Sequence, residues 1–283
     1  MRVFILVIIV LLTSVSSVSG RNICGVVSDE NGEGLPYSVI KIKNKNFGIL
    51  SDSIGTFMLS SGKLSNQDTL QVSYLSYNPE EIALSQIPVD TVLNICLKPN
   101  PMTLKEVIAR PRKMKVKTVG KHHKGGLMKL TMNGGCEKGE SFGYEFRAKG
   151  GKSQYLDKVG FYIIDEGAKT MARKKFRVNI YDMSKVDKEP TREFVNIMTE
   201  PIIFEFRKED IKDGKYTYTL PQLIKLPPEA MVEIEFLESL ENDEIWNFRG
   251  NLVGKNNWDK VIGQDFWIKH PFAMPFFLQG VEL

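Results

Sequence analysis

The chain has 283 residues, a formal net charge of +4 and 42% hydrophobic residues. This composition is that of a globular protein long enough for two domains. The charge is uneven, because eight lysines and arginines but only one acidic residue fall between residues 105 and 124. A nucleic-acid-binding protein would carry a broader basic surface, so no nucleic-acid partner is expected.

The first twenty residues predict a secretory signal. Arg2 precedes an apolar run from Val3 to Leu12, and the segment ends in Val18-Ser19-Gly20. The run is about ten residues long, whereas a membrane-spanning helix needs roughly 20. We therefore expect residues 1–20 to be removed, and the mature protein to be exported to the periplasm, the cell envelope or the outside, without a membrane span.

Residues 21–98 predict an all-β domain. Short alternating runs are separated by turn residues such as Asn31-Gly32 and Gly55. Proline cannot donate to a β-ladder, so Pro99 ends the last strand. The expected core positions are Val39, Ile42, Phe57, Leu59, Leu70, Val72, Leu93 and Ile95.

Several segments of this region carry a family resemblance. They are ICGVVSD at 23–29, Gly32, Leu35-Pro36, Val39, SDSIGTF at 51–57 and DTLQVSYLSY at 68–77. In this order, over residues 23–97, they resemble the carboxypeptidase-like regulatory domain. That family forms a seven-strand immunoglobulin- or transthyretin-like sandwich in front of TonB-dependent receptors and in secreted proteins of Gram-negative envelopes. The resemblance implies a fold, an envelope location and a structural or accessory role, but no reaction.

The three cysteines allow one disulfide. Cys24 lies in the first predicted strand of the sandwich and Cys96 in the last, so a bridge would join the two ends of the domain. The alternative is that both are small buried hydrophobic side chains. Cys136 is left unpaired and is interpreted as structural.

Residues 99–126 predict a basic linker without strand or helix periodicity. As an alternative, this segment docks on anionic lipid head groups or acidic polysaccharide. The chain that follows it is too short for a receptor barrel.

Residues 127–283 predict a second β-sandwich of the jelly-roll type. One helix is expected at 190–198. Residues 176–181 and 232–236 alternate between apolar inward and polar outward positions. A lysine-rich strand, then Ile224-Lys225-Leu226-Pro227-Pro228, then the Glu-rich strand at 232–236 resemble in their order jelly-roll modules of the galactose-binding type. The strand candidates are 141–148, 158–164, 176–181, 201–206, 216–220, 231–237, 246–253, 265–268 and 276–281. The whole chain is thus expected to be all-β, with two sandwiches joined by the basic linker.

The sequence lacks the motifs of common enzyme classes. His122, His123 and His270 do not have the His-x-x-Glu spacing of zinc carboxypeptidases, and no Gly-x-Ser-x-Gly elbow occurs. Alternation places Glu233 and Glu235 on the wet side of a strand, as solvating charges. We therefore expect no enzyme, no cofactor and no metal site. A structural calcium near Asn242-Asp243-Glu244 or Asp165-Glu166 is an open alternative.

A candidate ligand surface lies near the C-terminus, where all three tryptophans fall between residues 246 and 267. Trp258, which directly follows Asn256 and Asn257, is expected to contact a ligand, because aromatic faces stack on sugars while amides bind hydroxyls. Trp246 and Trp267 are further candidates, although tryptophan often fills sandwich cores.

The resulting hypothesis is an exported, non-catalytic envelope protein that binds glycan or a cell-surface partner. The alternative is a structural or assembly factor for an outer-membrane transport or surface complex.

Overall fold

A computed structural model describes residues 21–62, 64–89, 91–100, 115–119, 128–133, 136–148, 154–164, 171–184, 194–250, 254, 257–264, 266–271 and 276–282. These residues form strands, turns and two short 3-10 turns at Leu84–Gln86 and Lys208–Asp210. Within these ranges, no helix has the length and hydropathy to cross a membrane. The predicted signal segment lies outside the described residues.

The N-terminal domain is a sandwich of seven strands, as predicted. The strands are β1 Arg21–Ser28, β2 Val39–Ile42, β3 Gly48–Leu50, β4 Thr56–Ser61, β5 Thr69–Ser73, β6 Glu80–Ala83 and β7 Val92–Cys96. One sheet has the order β4-β1-β7 and the other β3-β2-β5-β6. The two sheets enclose a buried aliphatic core that includes Ile23, Val27, Leu59 and Leu70.

The predicted inward position of Val39 is wrong. Ile40 and Ile42 are the fully buried residues of β2, whereas Val39 is only half-buried. Side chains alternate along a strand, so Val39 shares the opposite face with Lys41. This face of the domain points toward the C-terminal domain rather than into the sandwich.

The predicted bridge between Cys24 and Cys96 is not formed, and both thiols are free. Strands β1 and β7 are parallel neighbours in which Cys24 lies opposite Val92 and Cys96 opposite Ser28. The two cysteines are therefore four positions apart along the strands, or about 13 Å at the rise of a β-strand. A disulfide needs Cα atoms within about 7 Å.

The C-terminal region consists of further antiparallel sheets, which confirms the all-β fold class. Its strands are β8 Lys115–Val119, β9 Met128–Asn133, β10 Ser141–Arg147, β11 Gln154–Tyr162, β12 Lys174–Asp182, β13 Val195–Asn196, β14 Ile202–Phe206, β15 Lys215–Leu226, β16 Glu229–Phe236, β17 Ile245–Gly250, β18 Asn257–Lys260, β19 Ile268–His270 and β20 Phe276–Glu282. The largest sheet has the order β13-β12-β16-β10-β18-β19, with β14 also paired to β12. A second sheet has the order β15-β11-β20-β8, and β17 pairs with β9.

Two local predictions in this region are wrong. Part of the predicted linker, Lys115–Val119, is strand β8 and pairs with β20. The helix predicted at 190–198 is also wrong, because its described part, residues 194–198, contains strand β13. This strand pairs with Tyr181 and Asp182 at the end of β12. In both places a sheet edge supplies hydrogen-bond partners that local sequence does not reveal. The domain boundaries at 98 and 127 stay predictions.

The core between these sheets is aromatic. Trp246 is fully buried and lies 4.4 Å from Phe206 and 6.0 Å from Phe176, measured between ring centroids. Phe176 in turn contacts Phe236 at 4.7 Å. These rings join β12, β14, β16 and β17, so the core holds strands of different sheets together.

Replacing the central tryptophan tests this core. We expect Trp246→Ala to lower the free energy of unfolding by about 3–5 kcal/mol, because it leaves a large cavity among packed rings. Ile268→Ala, at a residue that is 41% exposed in the same region, is the control and should change little. Urea denaturation followed by circular dichroism measures both. Equal effects of the two variants would contradict the assigned core.

Candidate functional site

The two domains enclose a cleft of about 440 Å³. The N-terminal domain contributes the outer face of β2 and β5, with Val39, Lys41, Gln71 and Ser73. These residues face the cleft because the alternate positions of the same strands fill the sandwich core. The opposite wall is the face of the large C-terminal sheet that points away from the aromatic core.

Direct contacts hold the domains on either side of the cleft. The Arg177 Nη1 group donates to the Tyr37 carbonyl oxygen at 3.0 Å, and Ser76 Oγ donates to the Thr199 carbonyl oxygen at 2.6 Å. Tyr37 also packs in an apolar cluster with Leu237. The cleft is thus framed by fixed contacts between the two domains.

The C-terminal wall carries paired polar residues on two adjacent strands. In the register of β12 and β16, Arg177 lies opposite Glu235 and Asn179 opposite Glu233. The prediction that Glu233 and Glu235 are solvating charges is wrong, since they are only 3% and 7% exposed. Alternation correctly put them on the face away from the core, but the N-terminal domain covers that face.

Arg177 and Glu235 form a buried ion pair. Nε and Nη2 of Arg177 both lie 2.8 Å from Glu235 Oε2. Asn179 Nδ2 donates to the same oxygen at 3.3 Å. Burial raises the pKa of Glu235 above its ordinary value, against the opposing effect of Arg177. The carboxylate is consequently held by several donors inside the protein.

Glu233 forms the second half of the network. Its Oε2 atom accepts hydrogen bonds from Asn179 Nδ2 at 2.8 Å and from the Tyr181 hydroxyl at 2.5 Å. Burial, together with the charge of Glu233, raises the pKa of Tyr181 well above its ordinary value, so the hydroxyl keeps its proton. Asn196 Nδ2 donates to Asn179 Oδ1 at 3.1 Å and fixes the orientation of that amide. The two carboxylates are therefore linked through one amide group.

One end of the cleft is aromatic. Trp267 and Phe194 line it with their ring centroids 6.2 Å apart and their planes inclined by 28°, and Tyr181 meets Trp267 edge-on at 5.9 Å. The Lys260 ammonium lies 5.7 Å from the Trp267 ring centroid. The cleft combines flat apolar surfaces with buried hydrogen-bonding groups.

Among the residues predicted to bind a ligand, the structure brings Trp258 and Trp267 together, since both rings pack against Phe194, and separates Trp246 from them. Trp246 belongs to the core, whereas Trp267 lines the cleft. Trp258 lies in strand β18 rather than in a loop, and its Nε1 donates to Glu145 Oε2 at 3.3 Å. The side chain of Asn257 is buried, and Asn256 lies outside the described residues.

Of the residues considered as calcium ligands, Glu244 has another role, and Asp165 and Glu166 are outside the described residues. Glu244 forms a buried ion pair with Lys174 at 2.6 Å and accepts backbone hydrogen bonds from Ala172 and Glu241. Residues 165 and 166 are outside the described ranges. Within those ranges, no group of three or more histidine, cysteine or acidic side chains is placed to bind a metal ion.

The residues that sequence reasoning missed are Arg177, Asn179 and Tyr181. They occupy alternate positions of strand β12, as Glu233 and Glu235 do in β16. The opposite charges of Arg177 and the two glutamates are the sequence feature that could have suggested this pairing. Only strand pairing brings the two sets together, because 58 positions separate Arg177 from Glu235.

A double-mutant cycle tests the buried ion pair. We expect Arg177→Met to lower the free energy of unfolding by about 3–5 kcal/mol, because Glu235 is left buried without its cation. Adding Glu235→Gln removes the stranded charge and should restore part of the loss. Arg207→Met, which breaks an exposed ion pair with Glu205, is the control and should have little effect. An Arg177 variant as stable as this control would contradict the assigned pairing.

Among the comparisons with known proteins, the family match covers the N-terminal domain and not the C-terminal one. No curated protein matches the chain. Among solved structures, the cysteine protease and lectin-like domains of Cwp84, a surface layer associated protein of Clostridium difficile, align with 87% of this chain at 11% identity and a TM-score of 0.33. The alignment covers 59% of that structure, less than two thirds of it, and the similarity is too distant to define a shared fold. The family profile described as CarboxypepD_reg-like domain matches residues 23–109, so this segment is a domain of that type.

Proposed function

We propose that the protein is an exported, non-catalytic component of the cell envelope that binds a glycan in the cleft between its two domains. The observation that carries the proposal is the buried network of Arg177, Asn179, Glu233 and Glu235 beside the aromatic end of the cleft. The signal-like N-terminus and the CarboxypepD_reg-like domain support the envelope location.

The chemistry of the cleft suits a polyhydroxylated ligand. Carboxylates accept hydrogen bonds from sugar hydroxyls, and amides both accept and donate. Half-buried Phe194 offers an apolar ring surface of the kind that covers the C–H face of a sugar ring, and Trp267, which is only 5% exposed, packs against it. The network orders these groups before a ligand arrives, which lowers the entropy lost on binding.

The same network argues against hydrolysis. A glycosidase uses one carboxylic acid to protonate the leaving group and one carboxylate as base or nucleophile. Here Glu235 Oε2 is fixed by Arg177, and Glu233 Oε2 is fixed by Tyr181 and Asn179. We propose that both glutamates hold the binding wall in place rather than transfer protons.

Blocking the cleft tests this function. Ser73→Trp places a large side chain on the N-terminal wall of the cleft and should abolish glycan retention in affinity gel electrophoresis against a panel of polysaccharides. Ser60→Trp is the matched control, because Ser60 is exposed on β4 away from the cleft and should leave retention intact. A melting curve for each variant confirms folding.

Three outcomes would overturn the proposal. The first is that no polysaccharide retards the wild-type protein, the second is that Ser73→Trp binds as the wild type does, and the third is that the bound polysaccharide is cleaved. The last result would instead assign acid and base roles to Glu233 and Glu235, which Glu233→Gln and Glu235→Gln would then separate.

A second candidate function is a scaffold or assembly role in an outer-membrane or surface complex. It is supported by an exposed apolar row on the outer face of the N-terminal domain. Met58 and Val92 are 64% and 63% exposed, and both flank Cys24 in the sheet β4-β1-β7. Apolar surface of this kind marks contact sites for other proteins.

Charge insertion tests the second candidate. The wild-type protein should cross-link to an envelope protein. Met58→Lys combined with Val92→Lys should abolish this cross-link, because burying a lysine in an apolar contact is costly. Ile268→Lys, at an exposed residue of the other domain, is the control and should keep the cross-link. Unchanged cross-linking in the double variant would reject this surface as the contact.

A further inference from the structure

A second cavity lies inside the C-terminal sandwich, distinct from the cleft between the domains. It has a volume of about 170 Å³ and is lined by five phenylalanines, Phe142, Phe161, Phe236, Phe248 and Phe276. These residues come from β10, β11, β16, β17 and β20, so the cavity lies between facing sheets. Half-buried Leu130 and Met132 of strand β9 line it as well.

The phenylalanines form a continuous arc around this space. Phe142 contacts Phe236 at 6.1 Å and Phe276 at 6.2 Å, and Phe161 contacts Phe248 at 5.8 Å and Phe276 at 5.9 Å, between ring centroids. Each ring is positioned by its neighbours in edge-on or tilted geometry. A flat aromatic guest would meet ring edges and faces in the arrangements that aromatic groups prefer.

The size of the cavity defines its guest. An apolar cavity of about 150 Å³ in another protein stays dry and binds benzene. The present cavity is slightly larger, so it fits one six-membered ring with a short substituent.

A carboxylate sits at this apolar cavity. Asp259 lies directly opposite Phe142 in the pairing of β18 with β10, and it therefore shares the core-facing side of the sheet. Its Oδ2 atom lies 2.7 Å from His270 Nε2. Its Oδ1 atom is buried and, among the described residues, has no hydrogen-bond partner. A buried carboxylate oxygen without a donor is costly, so this atom favours a guest that supplies one.

We propose that the cavity binds a small aromatic molecule that carries one hydrogen-bond donor, with the ring among the five phenylalanines and the donor on Asp259 Oδ1. The site is independent of glycan binding in the cleft, because the two cavities share no lining residue.

Two probes that differ by one hydroxyl group test this proposal on the full chain. Benzyl alcohol carries a hydroxyl donor and toluene does not, and binding of each is measured by ligand-observed NMR and by the shift in melting temperature. We expect benzyl alcohol to bind about tenfold more tightly than toluene, since a hydrogen bond to a buried charged group adds affinity. In Asp259→Val, which keeps the approximate shape but removes the acceptor, the preference should disappear while toluene binding remains.

A filling variant locates the binding site. Met132→Trp should exclude both probes, whereas the same change at exposed Met58 in the other domain should leave binding intact. Failure of either probe to bind the wild type, equal affinity for the two probes, or unchanged binding in Met132→Trp would overturn the proposal. If Met132→Trp does not fold, the comparison of the probes with Asp259→Val decides on its own.

Discussion

The ion pair between Arg177 and Glu235 is the constraint on which the arrangement of the two domains depends. A guanidinium group can satisfy several acceptors at once, and here it binds Glu235 of its own sheet and the Tyr37 carbonyl oxygen of the other domain. Removing either acceptor would leave part of a buried charge uncompensated. The pair therefore joins β12 to β16 and, with the Ser76–Thr199 hydrogen bond and the packing of Tyr37 on Leu237, holds the N-terminal domain in position.

Covering the second face of the large sheet creates the site. One face packs on the aromatic core around Trp246 and Phe176, while the other would ordinarily meet water. The N-terminal domain lies over that other face. The polar residues of the large sheet that point to this face therefore become buried and must pair with one another. The hydrogen bonds of Asn179 and Tyr181 to Glu233 follow from this need, and they leave ordered polar groups beside Trp267 at the edge of an open cleft.

The two cavities differ in their place in the β fold and in the chemistry of their lining. In the cleft, polar and aromatic groups meet between domains, where a large hydrophilic ligand has access. Inside the sandwich, five phenylalanines leave a space the size of a ring, and Asp259, with Thr131 and His270, forms the polar part of its lining. Exposed Met58 and Val92 lie on a third surface, on the far sheet of the N-terminal domain.

The sequence by itself determined the all-β class, the seven-strand N-terminal domain and its family, because turn residues and alternation are local signals. It also placed Glu233 and Glu235 on the side of their strand away from the core. Only the tertiary structure decided that this side is buried, that Arg177 lies opposite Glu235, and that Cys24 and Cys96 are too far apart along parallel strands to bridge. Strand pairing and domain packing join positions remote in the chain, and alternation within one strand carries no information about its neighbours.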